Sequence, residues 1–331
     1  MKAHFATHGA TRLVKGATAT LALVALSAVP FSAATSTQSA AATSTGCAVV
    51  SPGSTTLSLK VGGFTRTVIV HVPKSSTGTT PLALVLNLHG SGSTAAAQVK
   101  FTKMNVTANE DDFIVAYPQA LIPDGTGFDW NVPGVTLVGG PPVPPKSAND
   151  LKFLTSLVAI MESKYCVNPK EVYATGFSGG ARMTSQLACD DSGLFAAVAP
   201  VSGLRRPKPC PTTHAVPVIS FHGSADPVDP FNGNGQKYWT YSVTTAAKDW
   251  STQDHCTSIA NSVPVNGVKL TTYGTCSNGA EVELYEIIGE GHEWPGGPTL
   301  PSVYTELLGP QSSLVSANSL MWTFFQAHPL A

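Results

Sequence analysis

Charge is what this chain has least of. Only 12% of its 331 residues are Asp, Glu, Lys or Arg, against about a quarter in an average soluble domain. The 19 basic and 20 acidic side chains nearly cancel, leaving a formal net charge of −1. Nucleic acid therefore finds no basic footprint and is excluded as a partner. There is no charge excess that would hold the chain open by self-repulsion. No apolar run approaches the ~20 residues of a membrane span. There is no internal repeat, no Cys-x-x-Cys and no Cys/His cluster, so a structural zinc site is not expected. Nothing in the sequence calls for a metal or an organic cofactor.

What is present begins at the N-terminus. Lys2, Arg12 and Lys15 precede an uncharged, mainly apolar run of 13 residues, Ala17 to Val29. Small residues follow at Ser32-Ala33-Ala34, as a signal cleavage site requires. Residues 1–34 are expected to be a cleaved signal peptide and 35–46 a flexible Ser/Thr/Ala leader. Residues 47–331 are expected to form one domain, extracellular, monomeric and off the membrane once the signal is gone. Six cysteines in an exported chain point to disulfides, but spacing does not choose among the fifteen pairings of Cys47, Cys166, Cys189, Cys210, Cys256 and Cys276.

Hydrophobic patterning sets the fold class. Phe64–Val72 is β-branched and partly alternating, an antiparallel strand by pattern. Residues 81–88 form a continuous apolar run, which suits a strand buried on both faces. Further strands are predicted at 113–117, 171–175, 195–200, 216–221 and 281–288. Helices are predicted at 149–165, 180–189, 241–254 and 313–328. Strands alternating with helices predict an α/β fold, a mainly parallel central sheet with helices on both faces. The Pro/Gly-rich stretch 118–148 interrupts this pattern from within and reads as a loop over a site.

One pentad carries chemistry in that setting. Gly176-Phe177-Ser178-Gly179-Gly180 follows a predicted strand and opens a predicted helix, the context of a nucleophile elbow. The pentad alone also fits a Gly-rich turn without activity. A serine hydroxyl needs a base, and His292, in the Gly-rich loop after the last strand, is best placed to reach back over the sheet edge. The orienting acid is expected between Ser and His in chain order. Asp226, just past the end of strand 216–221, is preferred, and Asp229 stays open. Two oxyanion donors are expected, the amides of Gly179 and of Ser91 in "LHGSGS". Trp130 and Trp294 are candidates to stack on an acyl group or a sugar, with packing in the core as the alternative.

These motifs together resemble one family. "LVLNLHGSG", "VAYPQA", "YCVNPKEVYATGFSGGARM", "FAAVAPVSG", "HGSADPVDP" and "GEGHEWPGG" look like the secreted polyhydroxybutyrate depolymerase and feruloyl esterase group of the α/β-hydrolase superfamily. The resemblance implies an α/β-hydrolase fold for 47–331, a Ser178–Asp226–His292 triad, and an oxyanion loop at His89-Gly90-Ser91 with His89 bordering the substrate. It makes Asp150 a structural acid. The insertion "LVGGPPVPPK" has no counterpart in that pattern. The implied activity is hydrolysis of feruloyl or acetyl esters of plant cell-wall polysaccharide. Polyhydroxybutyrate depolymerisation is the alternative, because no separate polymer-binding module is visible. An acyltransferase and a non-catalytic binding protein on the same scaffold complete the range. A Cys166–Cys189 bridge is expected to clasp the elbow, with Cys256 paired to Cys276, and Cys47 and Cys210 left over.

Overall fold

Ten strands hydrogen-bond into one mixed sheet in the computed structural model, which describes residues 50–212 and 214–331. In chain order the elements are β1 (Gly53–Val61), β2 (Phe64–Val72), β3 (Leu82–Leu88), α1 (Ala95–Thr102), α2 (Met104–Asp111) and β4 (Ile114–Pro118). A small hairpin, β5 (Ile122–Asp124) and β6 (Gly127–Asp129), precedes α3 (Asp150–Lys164), β7 (Val167–Phe177), α4 (Gly179–Asp190) and β8 (Ala197–Val201). Then come β9 (Val218–Gly223), α5 (Val243–Gln253), β10 (Ser258–Val265), β11 (Val268–Gly274), β12 (Val282–Ile287), α6 (Ser302–Leu308) and α7 (Ala317–Ala327). The predicted signal peptide, the leader and Cys47 lie outside the described residues. Among the described residues no helix is long and apolar enough to cross a membrane.

The sheet order is β1-β2-β4-β3-β7-β8-β9-β12-β11-β10. The six central strands, β4 to β12 in that order, run parallel, and antiparallel pairs close both ends. Alternation within β3 explains the two-sided core. Leu84, Leu86 and Leu88 pack with α3, α4 and α5 on one face, while Ala83 and Val85 pack with α1, α2 and α7 on the other. Both faces are covered, so the strand reads as an unbroken apolar run.

The helices begin where the sequence provides caps. The Asn149 side chain accepts from the Lys152 amide at 2.9 Å and starts α3, and Ser242 caps α5 in the same way. Each such cap contributes about 1 kcal/mol. The antiparallel β10–β11 hairpin was not predicted. Every residue of β10 is exposed, so no apolar alternation marks it. Residues 118–148 are not wholly loop, because β5 and β6 pair within them.

One disulfide expectation is overturned. Cys189 bonds Cys210, not Cys166, and Cys166 is itself disulfide-bonded. The cause is the pitch of the two elements. A strand rises about 3.3 Å per residue and a helix about 1.5 Å. After the 11 residues of β7, α4 has therefore returned only about half the distance when it reaches Cys189. The chain leaving β8 passes there instead, with a Cα–Cα distance of 5.0 Å at Cys210. Cys256 and Cys276 are bonded, closing the base of the β10–β11 hairpin. A loop of this length, 20 residues in separation, is worth about 3 kcal/mol in the chain-entropy picture.

Candidate active site

Ser178 occupies the sharp turn between β7 and α4, with φ 54° and ψ −115°. A non-glycine residue there costs roughly 1–3 kcal/mol, and close packing enforces it. A Cβ on Gly176 would meet the Gly180 backbone at 2.6 Å, and one on Gly180 would collide with the Leu88 carbonyl oxygen. The elbow glycines are thus dictated by the crossing of α4 over β3 and β7. The Ser178 amide donates to the Val201 carbonyl at 3.0 Å, tying the turn to β8. Below the serine, the first amides of α4 have no intrahelical partner and favour negative charge.

His292 follows β12 in a loop pinned by the Gly291 amide, which donates to Pro310 at 2.7 Å. Its Nδ1 lies 2.7 Å from Asp226 Oδ2. The carboxylate accepts, so Nδ1 carries the proton and Nε2 is left to act as a base. Burial alone would lower the His292 pKa, but the charge and hydrogen bond of Asp226 outweigh it and raise it above the ordinary value. Asp226 shifts the opposite way. Burial opposes ionisation, yet His292, His222 and their hydrogen bonds hold its pKa well below the carboxylate range. Its Oδ1 accepts the amides of Val228 and Asp229, each at 2.8 Å.

Asp229, the open alternative, is committed elsewhere. It pairs with Arg182 of α4 at 2.7 Å, both side chains buried. Removing one partner of such a pair leaves an uncompensated charge, at a cost of roughly 3–5 kcal/mol.

Ser91 and Gly179 lie side by side. A Cβ on Gly179 would stand 3.2 Å from the Ser91 nitrogen. The Ser91 loop is held by Asp129 at the end of β6, which accepts the Gly92 amide at 3.0 Å and the Ser91 hydroxyl. Burial raises the Asp129 pKa, and these hydrogen bonds oppose the rise.

Ser178 and His292 open onto one cleft of about 770 Å³. Ser91, Phe101, Phe177, Val228, Leu300 and Tyr304 are among the residues that line it. His89, Trp130 and Trp294 are not among its lining residues, and Trp130 instead lines a small neighbouring pocket with Ser91 and Gly179. Trp294 is 2% exposed and donates to Asn318 at 2.9 Å, anchoring α7. Trp130 is 3% exposed and donates to the His89 carbonyl at 2.7 Å. His89 accepts the Ala120 amide on Nε2 at 3.2 Å, so its Nδ1 donates to the Gly90 carbonyl at 2.8 Å. Burial lowers its pKa to about 4 and keeps it neutral.

Behind His89 the polar chain continues through residues that sequence reasoning missed. Gln119 reaches His89 Nε2 at 3.0 Å and receives Arg66 on its carbonyl at 2.9 Å. Arg66 in turn pairs with Asp150 at 2.6 Å. Asp150 also accepts the Asn131 amide at 2.8 Å, so the structural role expected of it has a physical content. The signal for this network was present as a charged residue, Arg66, in a strand whose other side chains are uncharged or histidine. Among the described residues, no group of three or more His, Cys, Asp and Glu side chains is placed to hold a metal ion.

No family model matches the chain. It is similar to feruloyl esterase B of Piromyces equi, 28% identical over 243 residues, 69% of this chain and 42% of that protein. The Nocardia uniformis subsp. tsuyamanensis protein NocK, assigned as an esterase, is 30% identical over 247 residues, 67% of this chain and 68% of NocK. Poly(3-hydroxyalkanoate) depolymerase C of Paucimonas lemoignei is 26% identical over 256 residues, 69% of this chain and 58% of that enzyme. The chain thus matches less than half of the first relative's length. Among solved structures, acetyl xylan esterase from Aspergillus awamori superposes with a TM-score of 0.53 at 16% identity, covering 76% of this chain and 98% of that one.

Proposed function

The chain belongs to the polyhydroxybutyrate depolymerase and feruloyl esterase group of the α/β-hydrolase superfamily; on that premise we propose that it is a carboxylic ester hydrolase and that Ser178, His292 and Asp226 carry its reaction. The observation that supports this reading best is the 2.7 Å hydrogen bond from His292 to Asp226, at the cleft that also holds the strained Ser178.

The chemistry is two-step acyl transfer to water. Ser178 Oγ attacks the ester carbonyl carbon while His292 Nε2 takes its proton. The oxygen becomes negative and is held by the amides of Ser91 and Gly179. The C–O bond to the alcohol breaks, and His292 returns the proton to the leaving oxygen. Water then attacks the acyl-enzyme with His292 again as base, releasing the acid and restoring Ser178. Asp226 keeps the imidazole in the required tautomer and stabilises its charged form.

The substrate we propose is a feruloyl or acetyl ester on plant cell-wall polysaccharide. A mainly apolar cleft of about 770 Å³ with Phe101, Phe177 and Tyr304 in its wall suits an aromatic acyl group. A second reading, hydroxybutyrate oligomers, draws on the exposed apolar rim at Val303, Tyr304 and Leu307. We also propose that the protein is exported, since its disulfides persist in an oxidising compartment.

The test is a panel of methyl ferulate, acetylated xylan and hydroxybutyrate trimer, run on the protein and on Ser178→Ala. Turnover is expected to fall by about 10⁴-fold or more in the variant, with the melting temperature unchanged, since alanine keeps the Cβ and with it the backbone strain of the turn. Fluorophosphonate is expected to label the parent alone. Full turnover by Ser178→Ala sinks the mechanism, and ferulate turnover far below that of the trimer sinks the substrate assignment.

A further inference from the structure

Asp226 has a fourth donor that the two-step mechanism does not use. His222 is the penultimate residue of β9 and is fully buried. Its Nε2 lies 3.2 Å from Asp226 Oδ2, the oxygen that receives His292. The same Nε2 lies 2.7 Å from the carbonyl oxygen of Asp229. Both neighbours only accept, so they select the tautomer with the proton on Nε2. Nδ1 has no hydrogen-bond partner among the described residues. The ring stacks on Trp239, with centroids 5.7 Å apart, and meets Phe231 edge-on at 5.9 Å. Apolar rings thus fix where Nε2 points.

We propose that His222 is a positioning residue for the ester hydrolysis, holding Asp226 from behind so that Asp226 holds His292; the inference rests on the triad reading above. One N–H serves two ends of the same turn. On the carboxylate side it shares Oδ2 with His292 and sets the rotation of the carboxyl plane. On the backbone side it anchors Asp229, whose amide, with that of Val228, is what Oδ1 accepts. A single imidazole therefore sets both oxygens of the acid. The other charged or titratable groups around Asp226 come from separate elements. Arg182 of α4 is occupied by Asp229. Glu290 and Glu293 flank His292 in its own loop, and Tyr238 precedes Trp239. Apart from His292, none of their side chains hydrogen-bonds to Asp226 among the described residues.

The sign of the effect follows from the charge. A donor on Oδ2 draws electron density from the carboxylate and weakens its pull on the His292 proton. Without it the imidazolium gains stability, and the acid limb of the rate profile moves to higher pH. A residue that only packs has no reason to move that limb.

The experiment uses the full-length protein and p-nitrophenyl acetate, with four variants read for kcat, KM, the pH profile of kcat/KM, and melting temperature. His222→Phe keeps a ring against Trp239 and removes the donor. His222→Gln places an amide N–H near the position of Nε2. Asp226→Asn and Asp229→Asn separate the acid from its neighbour. His222→Phe is expected to lose about 10- to 100-fold in kcat, the scale of one hydrogen bond to a charged group. Its KM should stay within about twofold and its acid limb should rise. His222→Gln is expected to recover most of the kcat and return the limb. If His222→Phe does not fold, His222→Gln alone decides, since a limb and kcat unchanged from the parent support the proposal and a collapse equal to Asp226→Asn overturns it. A foldable His222→Phe with parental kcat and limb, beside an inactive Asp226→Asn, overturns the role of His222 and leaves the triad standing. An active Asp226→Asn overturns both.

Discussion

The two walls of the cleft are built in opposite ways. The wall after β3 is polar beneath its surface. Ser91 and Gly92 hang on Asp129, and His89 behind them is tied to Gln119, Arg66 and Asp150. The wall formed by 298–308, after β12, is apolar at its surface and open to solvent. Val303, Tyr304 and Leu307 of α6 are 55%, 46% and 65% exposed. Developing charge in a transition state needs donors that do not move, and buried hydrogen bonds provide that. Choosing an acyl or alcohol group needs surface and shape. The difference teaches that chemistry and selection are divided between the walls, with Ser178 between them.

The largest expected effect breaks the first wall. Asp129→Ala frees the Ser91 hydroxyl and the Gly92 amide, so the loop should lose its fixed geometry. A fall of about 10²-fold in kcat with little change in KM is expected, and steady-state kinetics on p-nitrophenyl acetate would reveal it. An equal loss in KM alone would place Asp129 in binding instead. The second prediction sharpens the other wall. Leu300→Ser with Tyr304→Ala, both in the cleft wall, should raise KM several-fold for an apolar ester, from the loss of about 1 kcal/mol of buried contact, while kcat holds. A drop in kcat without a change in KM would show that this wall serves the chemistry.

The smallest effect concerns the loop that joins His292 to the second wall. Burial pushes Glu290 up to about 8, against the pull of the Ser312 amide. A carboxyl whose pKa is raised on folding stabilises the native state most below its unfolded pKa, near 4.5. That stability is lost as pH rises toward 8. Melting temperature should therefore decline between pH 5 and 8, and Glu290→Gln should flatten the decline by a few degrees. Parallel melting curves for the two proteins would contradict this.

Much of the frame was legible in the chain. The apolar run at 81–88 and the strand at 64–72 announce themselves because one is buried on both faces and the other alternates. The exposed hairpin β10–β11 did not, since a strand with no core face carries no hydrophobic period. That Ser178, Asp226 and His292 each follow a buried strand was readable in the pattern, and those strands, β7, β9 and β12, run parallel inside the sheet. Arg66, Arg182 and Gln119 were not, because their partners lie 84, 47 and 30 residues away, and His222 meets Asp226 and Asp229 only because the loop after β9 folds back on it.

Local sequence determined where the elbow turns, since only glycine fits two residues before and two residues after Ser178, and it determined the two-faced core. It also left Asp226 and Asp229 unresolved, paired Cys189 with the wrong partner, and left Trp130 and Trp294 between substrate stacking and core packing. Tertiary structure decided these. Arg182 claims Asp229 and leaves Asp226 to His292. The shorter rise of a helix keeps Cys189 from Cys166 and brings it to Cys210. Buried polar atoms must find partners, so the imidazole of His89 and both indoles turn their N–H groups inward to carbonyl and amide oxygens. Which aromatic ring faces a cleft depends on where its hydrogen bond is satisfied, and that is a property of the fold.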